Sequence, residues 1–153
     1  MTRRLIGALA IITTLLLSGC GNDYGIDQYG QKVAAERLDK QWVVINYWAE
    51  WCGPCRTEIP ELNALAEQLK SQNVGVFGVN FDNVQGEELK AASEKLGIKF
   101  TVLAQNPDGI FDIPRSEALP VTYIIDDKGK VREQLMGEQT AESVLAKLKA
   151  LRG

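Results

Sequence analysis

The sequence predicts an α/β domain in which a central mixed β-sheet carries helices on both faces. An apolar, β-branched run at residues 42–47 passes at once into apolar residues at helical spacing, and the same strand-then-helix order recurs over residues 73–96. Two further β-rich runs flank Asp127-Lys128-Gly129 and lead into a last amphipathic stretch. Continuous apolar runs mark strands buried on both faces, and a 3.6-residue period marks helices with one face turned to a core.

Taken in order, Trp42-Val43-Val44-Ile45-Asn46-Tyr47 reads as the first buried strand. From Pro54 onward Ile59, Leu62, Leu65, Ala66 and Leu69 recur at three- and four-residue spacing, giving a helix with one apolar face. Residues 73–81 read as a second buried strand. Residues 86–96 read as a helix with Leu89, Ala92 and Leu96 inward, stopped by Gly97. Residues 100–103 form a short strand candidate, and Asn106-Pro107-Asp108-Gly109 has turn chemistry. Residues 121–126 and 131–135 read as a hairpin. The closing helix runs over residues 140–151, with Thr140 as N-cap, Glu142 in the first turn and Val144, Leu145, Leu148 and Leu151 apolar.

Ahead of these elements, Arg3 and Arg4 precede an almost uninterrupted apolar stretch, Leu5 to Leu17, too short to span a bilayer comfortably. Residues 1–19 therefore read as a signal peptide. Leu17-Ser18-Gly19-Cys20 resembles the bacterial lipobox, whose Cys is lipidated and becomes the mature N-terminus. The competing reading is an uncleaved anchor with Cys20 as a free thiol. Under either, the domain faces the outside of the inner membrane, and Gly21, in place of Asp, favours outer-membrane sorting in a Gram-negative host. The Gly-rich, aperiodic segment 21–30 reads as a flexible tether on the order of 15–20 Å long. Residues 20–30 are thus expected to be lipidated Cys plus tether, and residues 31–153 the domain.

Without residues 1–19, about 134 residues remain, enough for one domain and not for two. A monomer is expected. The formal charge of −3 becomes about −5 once Arg3 and Arg4 leave, which favours neither nucleic acid nor an anionic lipid surface as partner. Membrane attachment then rests on acyl chains.

The chemistry is carried by Trp48-Ala49-Glu50-Trp51-Cys52-Gly53-Pro54-Cys55, which sets two cysteines at the junction of the first strand and first helix. Unpaired N–H groups and the positive dipole end of a helix start favour a thiolate there, and Cys52, the more N-terminal sulfur, gains most. A reversible Cys52–Cys55 dithiol predicts a thiol–disulfide oxidoreductase with no dissociable cofactor. Half of a structural zinc site is the competing reading, but four ligands are needed and the chain has no His and only Cys20 besides, so no metal is expected. A permanent structural disulfide suits this spacing poorly, since so short a loop removes little unfolded-chain entropy.

That octapeptide, together with Pro60 five residues after the second Cys and Leu119-Pro120 ahead of a strand, resembles the thioredoxin superfamily over about residues 31–153. Gly30-Gln31-Lys32-Val33, residues 36–40, Asn46, Arg56-Thr57-Glu58-Ile59-Pro60 and the long insert before Leu119-Pro120 are similar to its TlpA/ResA-like branch of extracytoplasmic, membrane-tethered reductases. The resemblance implies a single-domain thioredoxin fold. It implies that Glu58 replaces the buried aspartate that thioredoxin carries where this chain has Asn46. It also implies a cis Leu119–Pro120 bond, which would set the Leu119 backbone opposite the dithiol for strand-like pairing with a substrate chain. An electron donor of the DsbD type is the implied redox partner. Residues i and i+3 share a helix face, so Glu58 can lie beneath Cys55, where burial would raise its pKa toward the range of a useful base.

Blander readings stand beside these. Glu58 could be a solvated helix carboxylate, as Glu50 and Arg56 are taken to be. Pro120 could merely open an edge strand. Trp51, expected to shield Cys52 and offer substrate a flat apolar contact, could be a core residue. Gly53 and Pro54 complete the expected substrate-binding set with Trp51, Leu119 and Pro120. The expected reaction is reduction of protein disulfides by Cys52 attack and Cys55 resolution, assisted by Glu58. The rivals are an oxidase or isomerase of the same fold, a peroxidase, a copper chaperone, which would want a His that is absent, and a non-catalytic lipoprotein binding module.

Overall fold

The computed structural model describes residues 21–153, so the expected signal peptide over 1–19 and the expected lipidation site, Cys20, lie outside the described residues. The sheet is built from β1 (Trp42–Trp48), β2 (Val74–Asn80), β3 (Thr101–Leu103), β4 (Val121–Ile125) and β5 (Val131–Met136), in the spatial order β3-β2-β1-β4-β5. β1, β2 and β3 are parallel, while β4 runs antiparallel to both β1 and β5, which makes the sheet mixed as the sequence predicts. The helices are α1 (Gly53–Leu69), α2 (Gly86–Lys95), α3 (Asp108–Phe111) and α4 (Ala141–Arg152). This is a thioredoxin fold.

Strand alternation divides the core into two layers. Val44 and Trp48 of β1 pack with Ile59, Leu62 and Leu65 of α1, Leu89 of α2, and Val144 and Leu148 of α4. Val43, Ile45 and Tyr47 point the other way, against Phe77, Tyr123, Phe111 of α3 and Tyr24. Among the described residues helices therefore lie on both faces, though unevenly: three cover one face, and the other has α3, a 3-10 turn at Ala35–Arg37 and the segment carrying Tyr24 and Val33.

Local chemistry explains the helix ends. Thr140 and Ser143 form a capping box, the Thr140 Oγ1 accepting from Ser143 N at 3.1 Å and the Ser143 Oγ from Thr140 N at 3.1 Å. In the β4–β5 turn the Asp126 carboxylate accepts from the N–H groups of Lys128 and Lys130, with Gly129 at φ 76°. The turn expected at residues 106–109 is instead the entry to α3, since Asn106 Oδ1 accepts from Asp108 N at 3.2 Å and the chain continues for one helical turn.

The expected flexible tether is corrected by the structure. Residues 21–30 form a packed arm along β3. Backbone bonds run from Ala104 N to Ile26 O and from Gln28 N to Val102 O, and the buried Gln28 side chain donates to Phe100 O and accepts from Val102 N. Tyr24 is buried, stacks on Phe111 with ring centroids 5.7 Å apart, and donates its hydroxyl to Asp39 at 2.7 Å. The physical reason is the open edge of β3, whose unpaired groups need a partner. The arm supplies it, and its Gly-rich composition hides the two side chains that lock it.

The two ends of the sheet differ. β1 and β2 end, and β4 begins, at the end bearing the Cys52–Cys55 junction. At the opposite end lie the segments before β1 and β2, the β4–β5 turn and the last turn of α4, where Arg152 donates to Gln72 O at 3.4 Å.

Candidate active site

Cys52 is the N-cap of α1, in extended conformation, and its Sγ accepts from Cys55 N at 3.2 Å. Pro54 fits in the first turn, where no N–H is required. Cys52 and Cys55 are joined as a disulfide with Cα atoms 5.3 Å apart. Cys55 is fully buried, whereas Cys52 keeps 4% of its surface. Gly53 and Pro54 are exposed beside them, and a Cβ at Gly53 would meet nothing within 4 Å, so the approach to the sulfurs is open there.

Trp51 is 64% exposed, so the core reading is excluded and the indole is a surface platform next to Cys52. Its Nε1 donates to Asp82 Oδ2 at 2.8 Å. Asp82 is itself fixed, its N–H donating to Asn80 Oδ1 at 2.9 Å in the loop after β2. The Arg56 guanidinium donates to the Glu50 carbonyl, and the Glu50 carboxylate pairs with Lys95, so these charges brace the loop before Cys52 at its exposed surface.

Glu58 is 1% exposed, which excludes the solvated reading. Its Oε1 accepts from Asn46 Nδ2 at 2.6 Å and its Oε2 from Gln139 N at 3.0 Å; Asn46 Nδ2 also donates to Thr122 Oγ1 at 3.0 Å. Burial pushes the Glu58 carboxyl up to about 7, against the Gln139 and Asn46 bonds, which favour the ionised form. A carboxyl that titrates near neutrality one helical turn from Cys55 can exchange protons with a thiol.

The peptide bond between Leu119 and Pro120 is cis. Pro120 precedes β4, whose first residue Val121 pairs with Tyr47, so it lies at the dithiol end of the sheet. Its carbonyl accepts from Gly137 N at 2.9 Å. Among the described residues no intramolecular hydrogen bond involves the Leu119 N–H or C=O. Nor do the described residues hold a group of three or more His, Cys, Asp or Glu side chains able to bind a metal. Sequence reasoning missed Asp82, Thr122 and Gln139, whose partners lie 31, 76 and 81 residues away with no local pattern to announce them.

Comparison with known proteins agrees with this geometry. Residues 15–134 match the AhpC/TSA family. The chain is 32% identical over 125 residues to the thiol-disulfide oxidoreductase ResA of Bacillus thuringiensis (strain Al Hakam), covering 82% of this chain and 72% of that protein. It is 30% identical over 110 residues to the ResA of Geobacillus kaustophilus, covering 72% and 63%. Among solved structures, a thioredoxin-family thiol:disulfide interchange protein from Chlorobium tepidum superposes with a TM-score of 0.69 at 24% identity, over 84% of this chain and 92% of that one. A DsbF homologue from Corynebacterium diphtheriae gives 0.68 at 20% identity, over 82% of each; both show the shared fold. The chain belongs to the AhpC/TSA family of thioredoxin-fold proteins and is a thiol–disulfide oxidoreductase similar to ResA.

Proposed function

We propose that this protein is a lipid-anchored reductase of protein disulfides outside the cytoplasmic membrane. Glu58, buried behind the dithiol and held by Asn46 and Gln139, is the observation that carries the mechanism. The Cys52 thiolate attacks a substrate disulfide, forming a mixed disulfide and releasing one substrate sulfur as a thiolate. Cys55 gives its proton to Glu58 and attacks Cys52 Sγ, so the Cys52–Cys55 bond forms as the second substrate sulfur leaves. The substrate gains two electrons and the protein loses them.

Strand-like pairing of substrate with the Leu119 backbone, and contact with the Trp51 indole, Gly53, Pro54 and Pro120, would hold the target sulfur in line. Gly-Pro between the cysteines supports the reducing direction, and an electron donor of the DsbD type would restore the dithiol. Anchoring rests on Leu17-Ser18-Gly19-Cys20, with residues 1–19 as the signal peptide. Gly21 favours the outer membrane in a Gram-negative host.

A Cys55→Ser variant expressed in its native envelope should accumulate mixed disulfides through Cys52. Equilibration with glutathione should place the wild-type dithiol on the reducing side. A dithiol more oxidising than glutathione would reverse the direction of transfer and favour an oxidase or isomerase.

A further inference from the structure

The turn from Gly137 to Thr140, which joins β5 to α4, touches both halves of the site. Gly137, at φ 78°, donates its N–H to the Pro120 carbonyl at 2.9 Å, beside the Leu119 backbone. Two residues later Gln139 donates its N–H to Glu58 Oε2 at 3.0 Å. One short turn therefore holds both the backbone proposed to receive substrate and the carboxyl proposed to take the Cys55 proton.

The Gln139 side chain, half-buried, sets the shape of that turn. Its Nε2 donates to the Met136 carbonyl at 3.3 Å and to the Gly137 carbonyl at 3.1 Å, while its Oε1 accepts from Ser143 Oγ at 3.2 Å. The first two bonds close the turn on itself, and the third ties it to the capping box of α4. Gly137 allows a left-handed φ but brings no side chain to hold it, so the Gln139 clamp supplies the missing restraint. α4 has its own hold on α1, since Glu61 Oε2 accepts from Ala141 N at 3.0 Å. Loss of the Gln139 side chain would therefore loosen the turn without detaching the helix. Among the described residues no hydrogen bond joins that side chain to Glu58 or to either sulfur, so its effect on them passes through its own backbone.

We propose that Gln139 is a positioning residue whose side chain fixes the β5–α4 turn, so that the Glu58 carboxyl and the Leu119–Pro120 backbone are held by one restraint; this rests on the roles proposed above for Glu58 and Leu119. A hydrogen bond to a carboxylate is stronger than one to a neutral carboxyl, so the Gln139 N–H favours ionised Glu58. The other groups facing Glu58 are Asn46 Nδ2 of β1, which does the same, Glu138 of the turn, whose charge opposes ionisation, and Cys55 one helical turn back on α1. None of them is a cation, so nothing replaces the Gln139 bond when it lengthens. The base then becomes harder to ionise while the Pro120 carbonyl loses its fixed partner, and proton transfer and substrate pairing weaken together.

Gln139→Met keeps the backbone N–H and a side chain of similar length but removes all three side-chain bonds. Single-turnover resolution of the mixed disulfide between about pH 5 and 9 should show the inflection near 7 moved up by about half a pH unit or more. KM for a disulfide-bonded peptide should rise several-fold, and by more than that for a small aromatic disulfide with no backbone to pair. Gly137→Ala, whose new Cβ would meet nothing within 4 Å but whose φ strains the turn, should raise the same KM, and it carries the test if Gln139→Met does not fold. A lower urea midpoint for Gln139→Met with the inflection and KM of wild type would leave Gln139 a purely structural residue and overturn the proposal, as would an unchanged KM in Gly137→Ala. An inflection that Glu58→Gln does not abolish would instead remove the reading of Glu58 on which the proposal stands.

Discussion

Glu58 shows how one buried carboxyl links stability to chemistry. Its native pKa of about 7 lies above the ordinary 4.5, so the folded protein keeps a proton that the unfolded chain releases. The stability this proton confers is fully present below about pH 4.5. It is lost as pH rises toward 7, by on the order of 3 kcal/mol at 1.4 kcal/mol per pKa unit. Glu58→Gln should remove that slope and leave the protein more stable than wild type at pH 8, as read by urea unfolding at acid and alkaline pH. Asn46 can accommodate the new amide, because its Oδ1 is buried without a partner among the described residues and can accept from a Gln. At the sulfurs, Cys52 has the N-cap position and the only exposed edge, so iodoacetamide should alkylate it well ahead of Cys55 in the reduced protein. Preferential labelling of Cys55 would exchange their roles. Both cysteines and Glu58 were legible because they sit in one local register at a strand–helix junction. Asp82, Thr122 and Gln139 were not, because tertiary contact alone gives them their meaning.

At the scale of elements, the strands and long helices followed their apolar periods closely, and departures came where a segment's partner is remote. The arm over residues 21–30 is the clearest case. Its glycines and polar residues have the composition of a tether, yet Tyr24 and Gln28 fill sites that exist only once β3 and α3 are folded. Gln28→Ala would strip hydrogen bonds from Phe100 O and Val102 N at a buried edge. Unmade bonds of this kind cost about 1–3 kcal/mol, so a drop of about 2 kcal/mol in unfolding free energy is expected by urea titration. An unchanged midpoint would mean that the arm does not belong to the cooperative unit. The one-turn α3 was hidden for a related reason, since Asn106-Pro107-Asp108-Gly109 serves a turn and a helix start equally well.

At the scale of the whole molecule, one sheet organises everything: the end where β1 finishes carries the dithiol, the cis Leu119–Pro120 bond and the buried carboxyl, and the other end receives Gly21 and Asn22. The mixed topology could be read from strand order, but the polar contacts that hold Glu58 could not, because they join β1, β4 and the entry to α4 from positions scattered along the sequence. Resolution of the mixed disulfide draws on all three scales, since it needs Cys55 and Glu58 held together by α1 and the residues of β1 and the α4 entry. The direct test is single-turnover resolution followed between about pH 5 and 9 in wild type and Glu58→Gln. The wild-type rate should rise through an inflection near 7, and the variant should lose that inflection and run on the order of 10²-fold slower at neutral pH. Superimposable profiles would remove Glu58 from the mechanism and leave the dithiol to act alone.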